Sequence, residues 1–300
     1  MAPFKRKFMY CKVNDVELFF DTEGSFLEPQ GSSYREKSTL VFLHGGPGAD
    51  HSIFRPSFST IQSDAQLIYL DQRYQGRSSR GDLSIFSLSQ LADDLKNFCD
   101  MLKIVKPVVL GHSFGGMVAM TYAARYPTHP GGLVLANTFA KQILSLMLDK
   151  FAEVGGHACR ESADKFWTTP SLETLKQYKE IAVPYTNRRW ASDAVERYQR
   201  GFPNSELCCY FWAGEGKQFN LLSELSRVEC PTLVIGGDAD PIAPIGCINE
   251  IIDALPTHLV TSYLLEDCGH VFWNDQPQKG IEIVREFILN KVSLNTEQKY

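Results

Sequence analysis

The prediction of the fold starts from residues 108–116, which read Val108-Val109-Leu110-Gly111-His112-Ser113-Phe114-Gly115-Gly116. Its first three residues form an apolar run that is typical of a buried strand, and the residues after Ser113 predict a helix that ends before Pro127. The G-x-S-x-G motif between them must turn the chain sharply, which strains the serine backbone and requires small neighbours. The sequence therefore predicts a candidate nucleophile, Ser113, at a junction between a strand and a helix.

Apolar runs alternate with helical patterns on both sides of this junction. The runs are rich in valine, isoleucine and leucine, as in a buried parallel sheet, and predict strands at 39–43, 66–70, 107–110, 132–136, 231–235 and 258–265. Residues 88–102 form one apolar helical face, which begins at a predicted capping box of Ser87 and Gln90. Further helices are predicted at 114–126 and 278–291. This order indicates an α/β fold with a doubly wound, mostly parallel sheet.

The alternation stops between about residues 139 and 222. Only helical patterns occur there, at 143–154, 172–181 and 191–198. Ligands of open α/β sheets bind beyond the carboxyl ends of the strands, so a helical insertion at this place predicts a lid over the site. We expect a core formed by residues 1–138 and 223–300 and a lid formed by residues 139–222.

Composition and charge exclude several classes of protein. Hydrophobic residues make up 44% and charged residues 22%, which indicates a globular chain rather than a disordered or coiled-coil one. A net charge of −5 without a long basic run provides no nucleic-acid footprint. The first residues lack the apolar stretch of a secretion signal. The uncharged stretch 107–124 is too rich in glycine for a membrane-spanning helix. The eight cysteines form no C-x-x-C pair, which favours reduced thiols. These features predict a cytoplasmic protein with reduced thiols that binds neither nucleic acid nor membrane, and they leave its oligomeric state open.

A second glycine-rich segment, His44-Gly45-Gly46-Pro47-Gly48, follows the predicted strand 39–43. Its glycines allow backbone N–H groups to turn toward one point, as acyl transfer requires where an oxyanion forms. We expect an oxyanion hole formed by the N–H of Phe114 and the N–H of Gly46.

A serine hydroxyl becomes a strong nucleophile when a histidine takes its proton and an acid orients that histidine. Both partners follow Ser113 in the order serine, acid, histidine. The base candidate is His270, and the acid candidates are Asp238 and Asp240, of which we choose Asp240 because Asp238 lies too near the end of its strand. Among the other histidines, His112 is expected to point away from Ser113.

The remaining histidines and the Asp71-Gln72-Arg73 stretch are interpreted as structural. His44 is expected to brace the oxyanion loop, and a surface position is expected for His51, His129, His157 and His258. The Asp71-Gln72-Arg73 stretch is interpreted as a charged turn that supports the glycine-rich loop. No histidine has metal-ligand spacing with a cysteine or carboxylate, so neither a metal nor a cofactor is predicted.

Together these motifs resemble a known family. HGGPG after one strand, D-Q-R-x-x-G-x-S after the next, then GHSFG, GDADP and a final GH resemble the α/β-hydrolase superfamily, and HGGPG with DQR is similar to the proline iminopeptidase group. The resemblance extends from residue 16 to residue 287, although the lid matches only in helical character. It implies the same roles as the spacing does: Ser113 as nucleophile, Asp240 as acid, His270 as base, and Gly46 and Phe114 at the oxyanion hole.

The lid is where the chain departs from that group. The resemblance implies carboxylates that hold the free amine of an N-terminal residue, from the lid and often directly after the catalytic acid. Here Pro241 follows Asp240, and Glu206, Glu215 and Glu224 of this region match no pattern of the group. Part of the aromatic content of the lid is expected to roof an apolar pocket. The candidate pocket residues are Trp167, Trp190, Trp212 and Glu215.

These features predict a serine hydrolase that needs no cofactor and forms an acyl-enzyme. The expected substrate is a small, partly apolar ester, amide or lactone. The alternative is a true prolyl aminopeptidase that releases N-terminal residues from short peptides. Two hypotheses from other classes keep the same fold: a lyase or perhydrolase that uses the same serine and histidine, and a ligand receptor.

Overall fold

A computed structural model gives the architecture of the chain and describes residues 9–190, 196 and 199–292. The strands are β1 (Met9–Val13), β2 (Val16–Glu23), β3 (Leu27–Gln30), β4 (Ser33–Glu36), β5 (Thr39–Leu43), β6 (Gln66–Leu70), β7 (Val108–His112), β8 (Gly132–Ala136), β9 (Thr232–Gly237) and β10 (Val260–Leu265). Eight of them form one sheet in the order β1-β2-β6-β5-β7-β8-β9-β10. The pairs from β6 to β10 are parallel, and β1 and β2 add an antiparallel edge.

The centre of this sheet is buried on both faces, which is why its strands could be predicted. Every residue of β5, β7 and β8 is buried, as their continuous apolar runs predict. The edge strands β1 and β2 were not predicted. In β1 only Cys11 and Val13 are buried, so its pattern is too short and too polar to stand out.

Helices cover both faces of the sheet and produce a layered α/β architecture. The helices are α1 (Leu88–Met101), α2 (Phe114–Arg125), α3 (Leu144–Thr168), α4 (Leu172–Ile181), α5 (Ser205–Ala213), α6 (Ile245–Ala254), α7 (Phe272–Asp275) and α8 (Pro277–Asn290). One hydrophobic core joins α1, α2 and α6 to the sheet, and a second core joins α7 and α8 to its other face. The predicted fold, a doubly wound and mostly parallel sheet, is confirmed.

The start of α1 differs from the capping box that the sequence predicts. The Ser87 hydroxyl accepts a hydrogen bond from the backbone N–H of Gln90, as expected. The Gln90 side chain does not complete the box, because its amide donates to Asp94 Oδ1 at 3.1 Å. The reciprocal box is found at α4 instead, between Ser171 and Thr174.

In the part of the chain that the structure describes, helices α3 to α5 lie between β8 and β9, where the sequence predicts only helices. The first continues to Thr168 instead of ending at residue 154, but its backbone is non-helical at Gly156, where φ is +76°. The predicted end therefore marks a kink that glycine allows. Helix α5 was not predicted, and most of the predicted helix 191–198 lies outside the described residues.

The described part of the chain contains no helix that is both long and apolar enough to cross a membrane. All eight cysteines are free thiols, and six of them are buried. The cysteines therefore add apolar volume to the cores rather than crosslinks.

His112, the last residue of β7, is buried as a neutral ring. Its exposed fraction is 2%, and its Nε2–H donates to the backbone carbonyl of His270 at 2.9 Å. Burial, together with the nearby His270 ring, lowers the pKa of His112 to about 3. The ordinary value of an unfolded histidine is about 6.5. At a pH between these two pKa values, His112 is protonated in the unfolded chain and neutral in the folded chain.

This difference predicts how stability depends on pH. Because the unfolded state binds more protons, the free energy of unfolding falls as the pH falls below about 6.5, by up to about 1.4 kcal/mol per pH unit from His112. The variant His112→Gln lacks this contribution, so its slope between pH 6 and pH 4.5 should be shallower by about 1 kcal/mol per pH unit. Chemical denaturation at several pH values measures both slopes. The exposed His258→Gln variant is the control, and equal slopes for His112→Gln and the wild type would contradict the assignment.

Candidate active site

Ser113 lies at the turn from β7 to α2 in a strained conformation. Its φ is +54° and its ψ is −121°, a combination that costs a residue with a side chain about 1–3 kcal/mol. The start of α2 approaches the end of β5 so closely that a Cβ on Gly115 would overlap the backbone carbonyl of Leu43. The strained turn that the G-x-S-x-G motif predicts is therefore present, and it holds Ser113 where β5 and β7 end.

Asp240 and His270 meet beyond the ends of β9 and β10. The distance from His270 Nδ1 to Asp240 Oδ2 is 2.9 Å, and the distance to Oδ1 is 3.1 Å. Asp238, the other acid candidate, instead accepts a hydrogen bond from the backbone N–H of Cys268 at 3.2 Å. The structure thus brings Asp240, rather than Asp238, against His270.

The environment of Asp240 keeps its carboxylate ionised. The side chain is fully buried, which by itself would raise its pKa. The adjacent His270 and the hydrogen bond from the backbone N–H of Ala243 outweigh burial and hold the pKa of Asp240 below its ordinary value. A carboxylate can only accept, so His270 Nδ1 carries the proton, and its Nε2 is left as the basic nitrogen.

Asn137, which the sequence analysis did not select, holds the acid from the other side. It follows β8 with a φ of +47° and is fully buried. Its side-chain amide donates to Asp240 Oδ2 at 3.0 Å and to the carbonyl of Gly269 at 3.0 Å. One residue therefore ties the acid to the loop that carries His270. Its position directly after a buried strand is the signal that could have revealed it.

A buried carboxylate fixes the His270 loop to residues 186–189, which belong to the insertion between β8 and β9. Asp275 accepts the backbone N–H groups of Gly269 at 2.7 Å, Arg188 at 3.0 Å and Arg189 at 2.6 Å. The backbone N–H of His270 donates to the carbonyl of Thr186 at 2.7 Å. The adjacent arginines also pair with Asp267, so they brace this loop and are not placed for substrate.

The HGGPG loop lies beside the serine. A Cβ on Gly45 would lie 3.1 Å from Ser113 Cβ, and Gly46 has a φ of +123°, which favours glycine. Within the described part of the chain, the backbone N–H groups of Gly46 and Phe114 have no hydrogen-bond acceptor. Both donors of the predicted oxyanion hole are therefore free to bind a substrate oxygen.

The histidine of this loop is structural, as predicted. His44 is fully buried, its Nδ1 donates to the carbonyl of Gly45, and its Nε2 accepts the backbone N–H of Gln72 at 3.3 Å. The side chain of Gln72 in turn donates to the His44 carbonyl at 2.9 Å. These bonds fix the start of the HGGPG loop. Gln72 therefore supports the glycine-rich loop, as was expected of the Asp71-Gln72-Arg73 stretch.

The prediction that His51 lies at the surface is wrong. His51 is 6% exposed, and its Nδ1 donates to Asp71 Oδ1 at 2.7 Å. Asp71 does not pair with Arg73, whose guanidinium bonds Asp94 and Asp15 instead. Although Asp50, His51 and Asp71 lie close enough to hold a metal, the oxygens of both carboxylates already accept hydrogen bonds from the protein. This cluster joins the turn after β6 to the HGGPG loop.

Ser113 and His270 open into one cavity of about 390 Å³ under the helical insertion. Its walls are mostly apolar and come from the HGGPG loop, α4 and the segment 201–205. Three tryptophans selected from the sequence lie in its lining: Trp167, Trp190 and Trp212. Trp167 and Trp212 are buried and pack against each other at 4.7 Å between ring centroids, whereas Trp190 is half-exposed.

Glu215 is not placed as the sequence analysis expected. It lies outside the cavity of Ser113, in a separate surface groove that also contains Glu224. Its carboxylate accepts the backbone N–H of Leu88 at 3.1 Å, at the start of α1. An acid at a helix N-terminus satisfies a free N–H and the helix dipole, so Glu215 is a structural residue.

Comparisons with known proteins identify the fold family of this chain. A family model described as "alpha/beta hydrolase fold" matches residues 38–275. A proline iminopeptidase of Lactobacillus acidophilus is 25% identical over 275 residues, which cover 84% of this chain and 90% of that protein. A putative carbamate hydrolase of a Caulobacter species is 22% identical and covers 89% of this chain and 96% of its own length.

Solved structures share the same fold. A proline iminopeptidase of Mycobacterium smegmatis superposes with a TM-score of 0.74 at 20% identity and covers 95% of this chain and 98% of its own. An enol-lactonase of Burkholderia xenovorans superposes with a TM-score of 0.69 at 20% identity and covers 94% of this chain and 100% of its own. The family model spans most of the chain, and the chain belongs to the α/β-hydrolase fold family.

Proposed function

We propose that the protein is a serine hydrolase that acts through an acyl-enzyme. Ser113 attacks the carbonyl carbon of the substrate while His270 Nε2 takes the hydroxyl proton. Asp240 holds the ring by its Nδ1–H and stabilises the imidazolium that forms. The N–H groups of Gly46 and Phe114 bind the oxyanion, the leaving group departs with the proton of His270, and water then releases the acyl group.

One arrangement supports this function above all others: a histidine held by a buried carboxylate opens into the same cavity as a serine in a strained turn. Each feature also occurs alone in this chain, since His51 and Asp71 form a buried pair and Tyr74 has a positive φ. At the cavity the two occur together: the desolvation cost of a buried Asp–His pair and the strain at a serine meet at one place, which is typical of sites where chemistry outweighs stability.

The cavity supports a small, partly apolar substrate. A volume of about 390 Å³ lies near the lower end of ordinary ligand pockets. Its lining is mostly apolar and includes the rings of Trp167, Trp212 and Phe139, so an ester, amide or lactone with an apolar part is the proposed substrate class. We also propose that residues 139–222 act as a lid over this cavity and that residues 1–138 and 223–300 form the core. The proposed location of the protein is the cytoplasm.

A prolyl aminopeptidase is the second candidate, favoured by the proline iminopeptidases that share about a quarter of the sequence. Such an enzyme must hold a free amine, and a carboxylate is the group suited to that. Among the described residues that line the cavity, Asp50 is the one carboxylate, and both its oxygens accept backbone N–H groups, of Ser52 at 2.9 Å and Phe202 at 2.6 Å. The described lining therefore favours substrates without a free amine. A further acid of the insertion, Asp193, lies outside the described residues.

Replacement of the nucleophile tests the proposed chemistry. The variant Ser113→Ala should lose about 10⁴-fold or more of kcat/KM on a 4-nitrophenyl ester, because no other group can form the acyl-enzyme. Ser89→Ala, which changes an exposed serine of α1, is the matched control and should keep wild-type activity. Mass spectrometry after a fluorophosphonate probe should find the label on Ser113. Full activity or labelling in Ser113→Ala would contradict the mechanism.

A matched pair of substrates separates the two candidates. We expect kcat/KM for N-acetyl-proline 4-nitroanilide to equal or exceed that for the free-amine proline 4-nitroanilide. The reason is that the described cavity contains no free carboxylate that could bind the ammonium group of the substrate. A simple aryl ester of similar size serves as the reference. A hundredfold preference for the free amine, about 2.7 kcal/mol of recognition, would instead establish the aminopeptidase.

A further inference from the structure

A lysine lies in the apolar cavity that contains Ser113. Lys179 is on α4, is partly buried, and lines the cavity together with Ser205. Its ammonium group has one hydrogen bond, a long one of 3.4 Å to Ser205 Oγ. An ammonium group has three donors, so most of the hydrogen-bonding capacity of Lys179 is unused.

The described surroundings of Lys179 lack a negative partner. In the part of the chain that the structure describes, no carboxylate forms an ion pair with Lys179. Asp50 shares the cavity, but the backbone N–H groups of Ser52 and Phe202 occupy its two oxygens. Asp240 is enclosed by His270, Asn137 and its own loop. The described cavity therefore contains an unpaired positive charge.

We propose that Lys179 binds an anionic group of the substrate, a carboxylate, in the cavity, with Ser205 as an additional donor. The inference rests on the proposed serine hydrolase and specifies its substrate class: an ester or lactone whose apolar part separates the scissile carbonyl from a carboxylate. A charge-assisted hydrogen bond in a mostly apolar cavity favours the anionic substrate, because a neutral substrate leaves the ammonium group unpaired.

Matched pairs of esters measure this preference. The first series compares 4-nitrophenyl half-esters of dicarboxylic acids with six to ten carbons against 4-nitrophenyl esters of monocarboxylic acids of the same length. The second compares 4-acetoxybenzoate with its methyl ester, which places the anion on the leaving group. We expect the wild type to prefer the anionic member at least tenfold in kcat/KM in one of the two series, and that series identifies the side of the scissile bond that Lys179 faces.

Substitutions of Lys179 test the source of the preference. In Lys179→Met the tenfold preference should disappear because kcat/KM falls for the anionic esters, while kcat/KM for the neutral esters changes less than about threefold. Lys179→Glu should favour neutral over anionic esters. Lys179→Arg retains the charge and should retain the preference. Lys176→Met, which changes an exposed lysine of the same helix, is the matched control and should behave as the wild type. Thermal melting checks that each variant is folded.

The outcomes separate this inference from the proposed function. Equal or higher kcat/KM on neutral esters in every wild-type series would overturn the anion site while leaving the serine hydrolase intact. An anionic preference that survives in Lys179→Met and Lys179→Glu would overturn the role of Lys179. Activity of Ser113→Ala on the same esters would overturn the proposed function itself.

Discussion

The close packing of α2 against the end of β5 is the constraint on which the rest of the site depends. A glycine at position 115 lets the helix start where the carbonyl of Leu43 would exclude any side chain. The same contact places Ser113 beside the HGGPG loop and leaves the first N–H of the helix without an intrahelical acceptor. The candidate nucleophile and the N–H of Phe114, one of the two proposed oxyanion donors, thus result from one packing contact between a strand and a helix.

Buried charges and hydrogen bonds hold the other half of the site. Three sets of polar contacts fix the His270 loop: Asn137 bonds Gly269, Asp275 accepts three backbone N–H groups, and the carbonyl of Thr186 accepts the N–H of His270. The side chains of Asn137 and Asp275 are buried, so their bonds are stronger than in water and costly to break. The imidazole is held rigidly, as a general base must be.

The contacts of the helical insertion connect specificity to catalysis. Residues 186–189 bond the His270 loop directly, while α4 of the same insertion brings Lys179 and Tyr178 into the cavity. A substrate that fills the cavity therefore contacts the element that also steadies the base. One fold can carry many functions, because the residues that line a site can change while the scaffold stays the same.

The sequence alone determined the central strands of the sheet and the strained turn at Ser113. Continuous apolar runs predict the central parallel strands, and the glycines around Ser113 predict its strained turn, because both signals are local. Only the tertiary structure decided which residues surround the candidate pair of Asp240 and His270. Asp275 and Lys179 have no distinguishing pattern in the sequence, and the position of Asn137 after a strand does not show which groups it bonds. Glu215 was assigned to the pocket, although its carboxylate accepts the N–H of Leu88 at the start of α1. These assignments depend on contacts between residues far apart in the chain, and a hydrogen bond or a burial across such a distance leaves no local pattern in the sequence.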